Sequence, residues 1–293
     1  MSAYNDLKCE INIKRLQVEL LSLSKKGLPL YRTLKVLGYE IFVDDISSIE
    51  VESHAKKVIS TINAYSYVTA QNDKYFDEAL RASDAILPDG GSFVLAAKHI
   101  NNQPINRVAG ADLHTYLLEQ LNANNGSCFY LGASQETLDK IRKKLSYDYP
   151  NITVGNYSPP YKEQFTDKDN EKMISQVNAF SPDVLFIGMT APKQEKWIIE
   201  HKEQLHFNIA APIGAVFDFY ADNVKRAPLW MQKNHLEWLH RGFSSWRLAK
   251  RYLSSNPLFI MAVYRHKKEL KKYRHKYRDL LILSNKFDQS SLK

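Results

Sequence analysis

Cysteine is nearly absent, with Cys9 and Cys128 the only two in 293 residues. Two isolated thiols build neither a disulfide framework nor a metal-ligand spacing, and they suit a reducing compartment. Long hydrophobic runs are missing too. No apolar stretch approaches the roughly 18 residues of a membrane-spanning helix, and the nearest candidate, 257–264, is far too short. The amino terminus has no basic–apolar–small-residue signal pattern. These absences lead to the expectation of a cytosolic chain that touches a membrane, if at all, from that side. The G-x-G-x-x-G fingerprint is lacking as well, which leaves a dinucleotide site poorly supported.

The length fits one large or two modest domains with a real core. Hydrophobic content of 44% and charged content of 25% are those of a soluble globular protein. The net charge of +8 is unevenly placed. Residues 241–293 hold 14 Lys/Arg against 3 Asp/Glu, and the remainder holds 26 against 29. A basic tail of this kind attracts polyanions, either nucleic acid or an anionic membrane surface.

Hydrophobic patterning predicts a helical prefix over 1–30 and a strand or hairpin over 33–43. A helix is expected over 49–64, then a strand over 66–70 and a helix over 75–82. Further strands are expected at 85–88, 128–131, 152–155, 184–187 and 209–212, alternating with helices. Connections too long for hairpins between such strands indicate an α/β, Rossmann-like, mostly parallel sheet over 31–227. From Pro228 the pattern is helical, giving a basic appendage over 228–293 in which Trp230, Trp238 and Trp246 interleave with Arg241, Arg247 and Arg251. That mixture suits a membrane interface, though a core stripe explains the tryptophans equally well.

Open α/β sheets bind ligands beyond the carboxyl ends of their strands, and three stretches place polar residues there. In Pro182-Asp-Val-Leu-Phe-Ile-Gly-Met-Thr-Ala-Pro-Lys-Gln-Glu-Lys-Trp197, an apolar run leads to Thr190, Lys193, Gln194 and Glu195. An ordinary strand-to-helix turn, with Thr190 capping a helix that Pro192 starts, would read the same way. The expected strand at 66–70 ends in Thr69, Gln71 and Asn72. Ala85-Ile-Leu-Pro88 runs into Asp89-Gly90-Gly91-Ser92, where glycines allow close backbone approach and the next helix aims its amides at an anion. Asp89 is thus a carboxylate at a strand's carboxyl end, where a plain helix cap would read the same way. Asp44-Asp45 is adjacent rather than spaced, and Asp167-Lys-Asp169 precedes a helix as capping, so no convincing metal pair is evident.

Asp89-Gly90, Arg107-Val-Ala-Gly-Ala-Asp112-Leu, Ala191-Pro-Lys-Gln-Glu-Lys-Trp197 and Phe217-Asp-Phe-Tyr with Lys225-Arg-Ala-Pro228 together resemble the WecG/TagA/CpsF family of bacterial glycosyltransferases, from about 31 to 252. The resemblance implies a metal-independent, cofactor-free, inverting transfer of a sugar (N-acetylmannosamine, its uronic acid or a glucose-like hexose). The donor would be a UDP-sugar and the acceptor a polyprenyl-diphosphate-linked saccharide in surface polysaccharide synthesis. It implies a peripheral enzyme on the inner face of a bacterial plasma membrane, touching anionic lipid and no nucleic acid, with homo-oligomerisation left open. Asp89 would be the general base. Thr69 and Gln71, with Asn72 beside them, would match a Thr-x-Asn element. Gly90, Arg107, Asp112, Gly132, Thr190, Lys193, Gln194 and Arg226 would serve substrate, and Arg241, Arg247 and Arg251 the acceptor diphosphate. Asp222 stands where the family usually has glycine. The competing expectation is a Rossmann-like nucleotide-binding protein whose tail holds nucleic acid.

Overall fold

The computed structural model describes residues 31–51, 56–224, 228, 231 and 246–290, with side chains along the last segment described from 249 to 272. The prefix 1–30 lies outside these residues, as does the expected helical stretch from 229 to 245 apart from Met231. Strands β1 (Thr33–Val36) and β2 (Tyr39–Phe42) form the expected hairpin. Leu37 and Gly38 make its turn with positive φ of 52° and 86°, which matches the primed turns of two-residue hairpins.

The main sheet contains β3 (Lys57–Ile62), β4 (Ala85–Pro88), β5 (Ser127–Gly132), β6 (Thr153–Tyr157), β7 (Val184–Gly188) and β8 (Ile209–Pro212). Their spatial order is β4-β3-β8-β7-β5-β6, and every pairing is parallel. The helices are α1 (Ala64–Ala70), α2 (Lys74–Arg81), α3 (Gly91–Asn101), α4 (Gly110–Ala123) and α5 (Gln135–Asp148). Beyond them come α6 (Asp167–Phe180), α7 (Lys193–His201), α8 (Gly214–Tyr220) and α9 (Trp246–Ser290).

Successive strand residues face opposite sides, and the two sides are covered by different helices. Ile59, Leu87, Cys128, Tyr130, Phe186 and Ala211 pack under α4, α5 and α8. Val58, Phe129, Leu185, Ile187 and Ala210 pack under α6 and α7. Ile62 and Ile86 continue that second side beneath α1, α2 and α3, joined there by Phe259 and Val263 of α9. The result is a helix–sheet–helix sandwich of the expected Rossmann-like kind.

Two expectations are corrected between 49 and 70. The predicted helix over 49–64 contains instead a short 3-10 turn, Ile46–Ser48, and the buried strand β3. Val58-Ile-Ser-Thr-Ile62 is β-branched at four of five positions, and such side chains pack well in a sheet covered on both faces. The predicted strand over 66–70 is α1. Asn63 caps it, accepting from Ser66 N at 3.1 Å, and Ala64, Tyr67 and Ala70 are buried at helical spacing. Tertiary packing overrides the strand preference of its Tyr, Val and Thr.

The tail also differs from expectation. Helix α9 runs unbroken through Pro257. Tyr67 and Phe93 meet the Phe259 ring at 5.5 Å and 5.4 Å between centroids. Part of the basic tail is therefore core.

Candidate functional site

The strands β3 and β8 are paired only at their amino-terminal ends. Their ladder holds only Lys57 opposite Ile209 and Val58 opposite Ala210, while Ile59 to Ile62 pair with β4 alone. Beyond these neighbouring strands the chain leaves to opposite faces, into α1 and into α8. Such a divergence opens a crevice at the strand ends, where open α/β sheets hold ligands.

On one wall of that crevice, Asp89 N donates to Ile62 O at 2.9 Å, which sets Asp89 against the Thr61-Ile62-Asn63 strand end. Gly90 follows with φ 80° and ψ 174°, a conformation open essentially to glycine alone. A Cβ built there would meet nothing within 4 Å. Backbone shape, and not crowding, therefore requires glycine after Asp89. Gly90 caps α3 without a side chain, so the α3 amides point to the edge as expected. The Ser92 hydroxyl accepts from Ala64 N at 3.0 Å and ties the starts of α1 and α3 together.

Val108 N donates to Pro88 O at 3.1 Å, bringing Arg107 beside the same strand end. Arg107 lies 3.5 Å from Asp112, whose carboxylate also accepts from Ala109 N at 2.9 Å. Asp112 thus caps α4 while orienting Arg107. Gly132 is buried, and a Cβ on it would come within 2.4 Å of Gly188 O. Its place in the edge is a close backbone approach between β5 and β7.

Thr190 is exposed and contributes its carbonyl to Lys193 N at 2.9 Å; Pro192, joined to Ala191 by a cis peptide, is the cap of α7 in place of Thr190. The Lys193 ammonium donates to Lys162 O at 2.6 Å and lies 3.4 Å from the Phe165 ring centroid. Burial against that loop pulls its pKa below the usual lysine value.

Gln194, expected beside the substrate, is held by the protein's own groups. It is buried, and its Nε2 donates to Glu195 Oε1 at 2.9 Å and to Pro212 O at 3.0 Å. Its Oε1 accepts from Gly214 N at 3.1 Å. Both amide hydrogens are taken, so Gln194 clamps the turn between β8 and α8. Glu195 is 3% exposed, and among the described residues its Oε2 has no hydrogen-bond partner. Burial pushes its pKa up to about 7, opposed by the Gln194 hydrogen bond and the Arg251 charge. Arg251 arrives from α9 and stacks 3.2 Å from the Tyr65 ring centroid in the first turn of α1.

Other expected residues are not brought here. Thr69, Gln71 and Asn72 sit at the far end of α1, about 10 Å along its axis from the edge at 1.5 Å per residue. Gln71 and Asn72 are exposed, and Asn72 Nδ2 donates to Val68 O. The Thr-x-Asn pattern is met at the edge by Thr61-Ile62-Asn63, a literal spelling visible in the sequence but hidden by the misplaced strand. Arg226 and Arg241 lie outside the described residues, as does the side chain of Arg247. Asp44 pairs with Arg32, Asp45 caps the 3-10 turn, and Asp167 and Asp169 stand in the first turn of α6. Asp222 takes positive φ, 55°, at the turn where glycine was expected, and pairs with Lys144 at 2.8 Å.

A family model described as the glycosyl transferase WecG/TagA/CpsF family matches residues 30–273. A Bacillus subtilis (strain 168) protein named N-acetylglucosaminyldiphosphoundecaprenol N-acetyl-beta-D-mannosaminyltransferase is 31% identical over 233 residues, 79% of this chain and 88% of that protein. Proteins of the same name from Bacillus spizizenii and Staphylococcus aureus (strain MW2) are 29% and 28% identical, covering 78% and 73% of this chain and 86% and 82% of theirs.

Proposed function

The chain belongs to the WecG/TagA/CpsF family of glycosyl transferases, and from that premise we propose that it moves N-acetylmannosamine from a UDP-sugar to a polyprenyl-diphosphate-linked N-acetylglucosamine. The observation that carries this is the shared name of relatives of whose length the chain covers 88%, 86% and 82%. That name specifies a β product. From an α-linked UDP donor a β product means inversion, a single displacement.

The step needs one base and a stabilised leaving group. Asp89 takes the proton of the acceptor hydroxyl as its oxygen bonds to the anomeric carbon. The bond from that carbon to the UDP oxygen breaks, and UDP leaves with the electron pair. Thr61 and Asn63, one residue either side of Ile62, face the donor beside Asp89. Arg107, held by Asp112, and the α3 amides offset the developing negative charge without a metal ion. Gly90 keeps the approach to Asp89 free of side chains.

The tail serves the lipid-linked substrate. No helix among the described residues is long and apolar enough to cross a membrane. Along α9, Leu253, Leu258, Ile260, Met261 and Tyr264 are exposed, with Lys250, Arg265, Lys268 and Lys271 on the same outer side. An apolar stripe edged by lysines seats in an anionic interface. It would hold the enzyme on the inner face of the plasma membrane with Arg251 over the site.

The test is a panel of UDP-N-acetylmannosamine, its uronic acid, UDP-glucose and UDP-N-acetylglucosamine, each with a short-chain lipid-diphosphate N-acetylglucosamine and excess chelator. Product from UDP-N-acetylmannosamine alone is expected. Turnover of another donor, or none without added metal, would overturn the corresponding part.

A further inference from the structure

Lys193, expected to serve substrate, is engaged by a loop of the protein itself. Its ammonium donates to Lys162 O at 2.6 Å and lies 3.4 Å from the Phe165 ring centroid. The same loop is pinned twice more. The Ser158 hydroxyl donates to Ala133 O at 2.8 Å, and Lys162 Nζ pairs with Asp169 at 2.8 Å. Ala133 follows β5, and Lys193 opens α7 after β7. The loop therefore leaves the edge strand β6 and crosses the carboxyl ends of β5 and β7.

Between the Ser158 and Lys162 anchors lie only Pro159, Pro160 and Tyr161. The two proline rings fix φ at the positions before the tyrosine, and the anchors fix both ends. Tyr161 is nonetheless fully exposed, more so than any other large apolar side chain among the described residues. Tyrosine presents its ring once two torsions are set, so a firmly held backbone offers it as a contact surface at low entropic cost. At the strand ends beside this loop, Gly132 and Gly188 bring backbone against backbone. No side chain rises from either position.

We propose that Tyr161 is the stacking platform for the nucleobase of the donor, and that Lys193 is the positioning residue that holds it there. This rests on the UDP-sugar reading given above. Distance selects the base over the sugars. The acceptor sugar carries the hydroxyl that Asp89 serves and the donor sugar carries the carbon it attacks, so both pyranoses lie against Asp89. The Lys193 anchor follows β7, three places from β4 in the sheet. At about 4.8 Å per strand this is roughly 14 Å from the strand end that bears Asp89. A polyprenyl chain has no ring to stack. The uracil, set off from the reacting bond by a diphosphate and a ribose, is the ring with that reach, and every base has a face that stacks on an aromatic side chain. Lys193 thus acts on the donor without touching it, which accounts for an ammonium beside the crevice occupied by a backbone carbonyl.

The test is calorimetric binding of UDP to the full chain without acceptor. Tyr161→Ala should bind UDP about tenfold or more weakly, the scale of a lost base–aromatic stack, while Tyr161→Phe should bind as wild type. Inorganic diphosphate, which has no ring, should show no such difference. In turnover, Tyr161→Ala should raise KM for the donor with kcat retained, and KM for a short-chain lipid-diphosphate acceptor should not move. Lys193→Met should match Tyr161→Ala in UDP affinity and speed amide exchange across 158–165. Lys193→Arg keeps a donor for Lys162 O and should restore both. Equal UDP affinity in wild type and Tyr161→Ala, or a loss confined to the acceptor, overturns the proposal and leaves the donor reading intact. Unchanged affinity in Lys193→Met overturns the role of Lys193. A wild type that binds no UDP overturns the donor reading and the proposal together.

Discussion

Gln194 Oε1 accepts the Gly214 amide N–H at 3.1 Å while Gln194 Nε2 donates to Pro212 O, the two bonds closing over the turn from β8 to α8. A side chain so placed does its first work on the protein itself. Replacing Gln194 with alanine would leave one buried N–H and one buried C=O without partners, each costing about 1–3 kcal/mol. We expect Gln194→Ala to lower unfolding stability by at least that much in urea titration. A residue serving substrate alone would leave the stability unchanged.

Asp89→Asn should fold as wild type and bind UDP, since Asp89 is anchored by its backbone to Ile62. Turnover should fall about 100-fold or more, the usual scale of a lost general base. Single-turnover rates at saturating donor measure this directly, and a near-normal rate removes Asp89 from the role.

The relocation of the Thr-x-Asn pattern is tested by contrast. Asn63→Asp keeps an acceptor for the Ser66 amide and so keeps the α1 cap, yet loses the amide donor. We expect about tenfold or more loss in kcat/KM, the scale of one hydrogen bond to a charged group, with little change in stability. Gln71→Ala and Asn72→Ala, at the exposed far end of α1, should retain activity. The reverse pattern would restore the original assignment.

Acid stability should carry the mark of His114. It is buried against Tyr130, with Nε2 2.6 Å from the hydroxyl, and burial holds its pKa down to about 3 from an ordinary 6.5. The unfolded chain binds the proton first, so stability falls as pH drops below about 6.5, by up to about 1.4 kcal/mol per pH unit. Glu195, raised to about 7 from an ordinary 4.5, works the other way between those values, because its native form binds the proton first. Between about pH 4.5 and 6.5 the two contributions offset each other in wild type, so stability across that window should rise with pH in Glu195→Gln and shift toward falling with pH in His114→Asn, read from urea midpoints.

Membrane attachment through α9 is best tested without removing it, because Phe259 and Val263 belong to the core with Tyr67 and Phe93. A truncation at Arg241 would strip those core contacts along with the basic face. Ile260→Glu combined with Met261→Glu alters only exposed positions. The double variant should unfold like wild type but lose most sedimentation with anionic vesicles, and wild-type binding should weaken as salt rises. Unchanged sedimentation would contradict the assignment.

The sequence by itself determined the layered α/β architecture, the strands Ala85–Pro88, Val184–Gly188 and Ile209–Pro212, and the placement of Asp89 at a strand's carboxyl end. Short apolar runs that break at glycine or at a polar turn carry this information locally. The segment 57–70 was not legible in the same way, because Tyr, Val and Thr favour strands until Ala64, Tyr67 and Ala70 are given a helix-shaped surface to fill. Only the tertiary structure decided that β8 inserts between β7 and β3, that the crevice therefore opens beside Thr61-Ile62-Asn63, and that Gln194 is enclosed. The same holds for Arg251 stacking on Tyr65 from a helix distant in sequence: that contact depends on how α9 packs across α1 and α3, which no local pattern encodes.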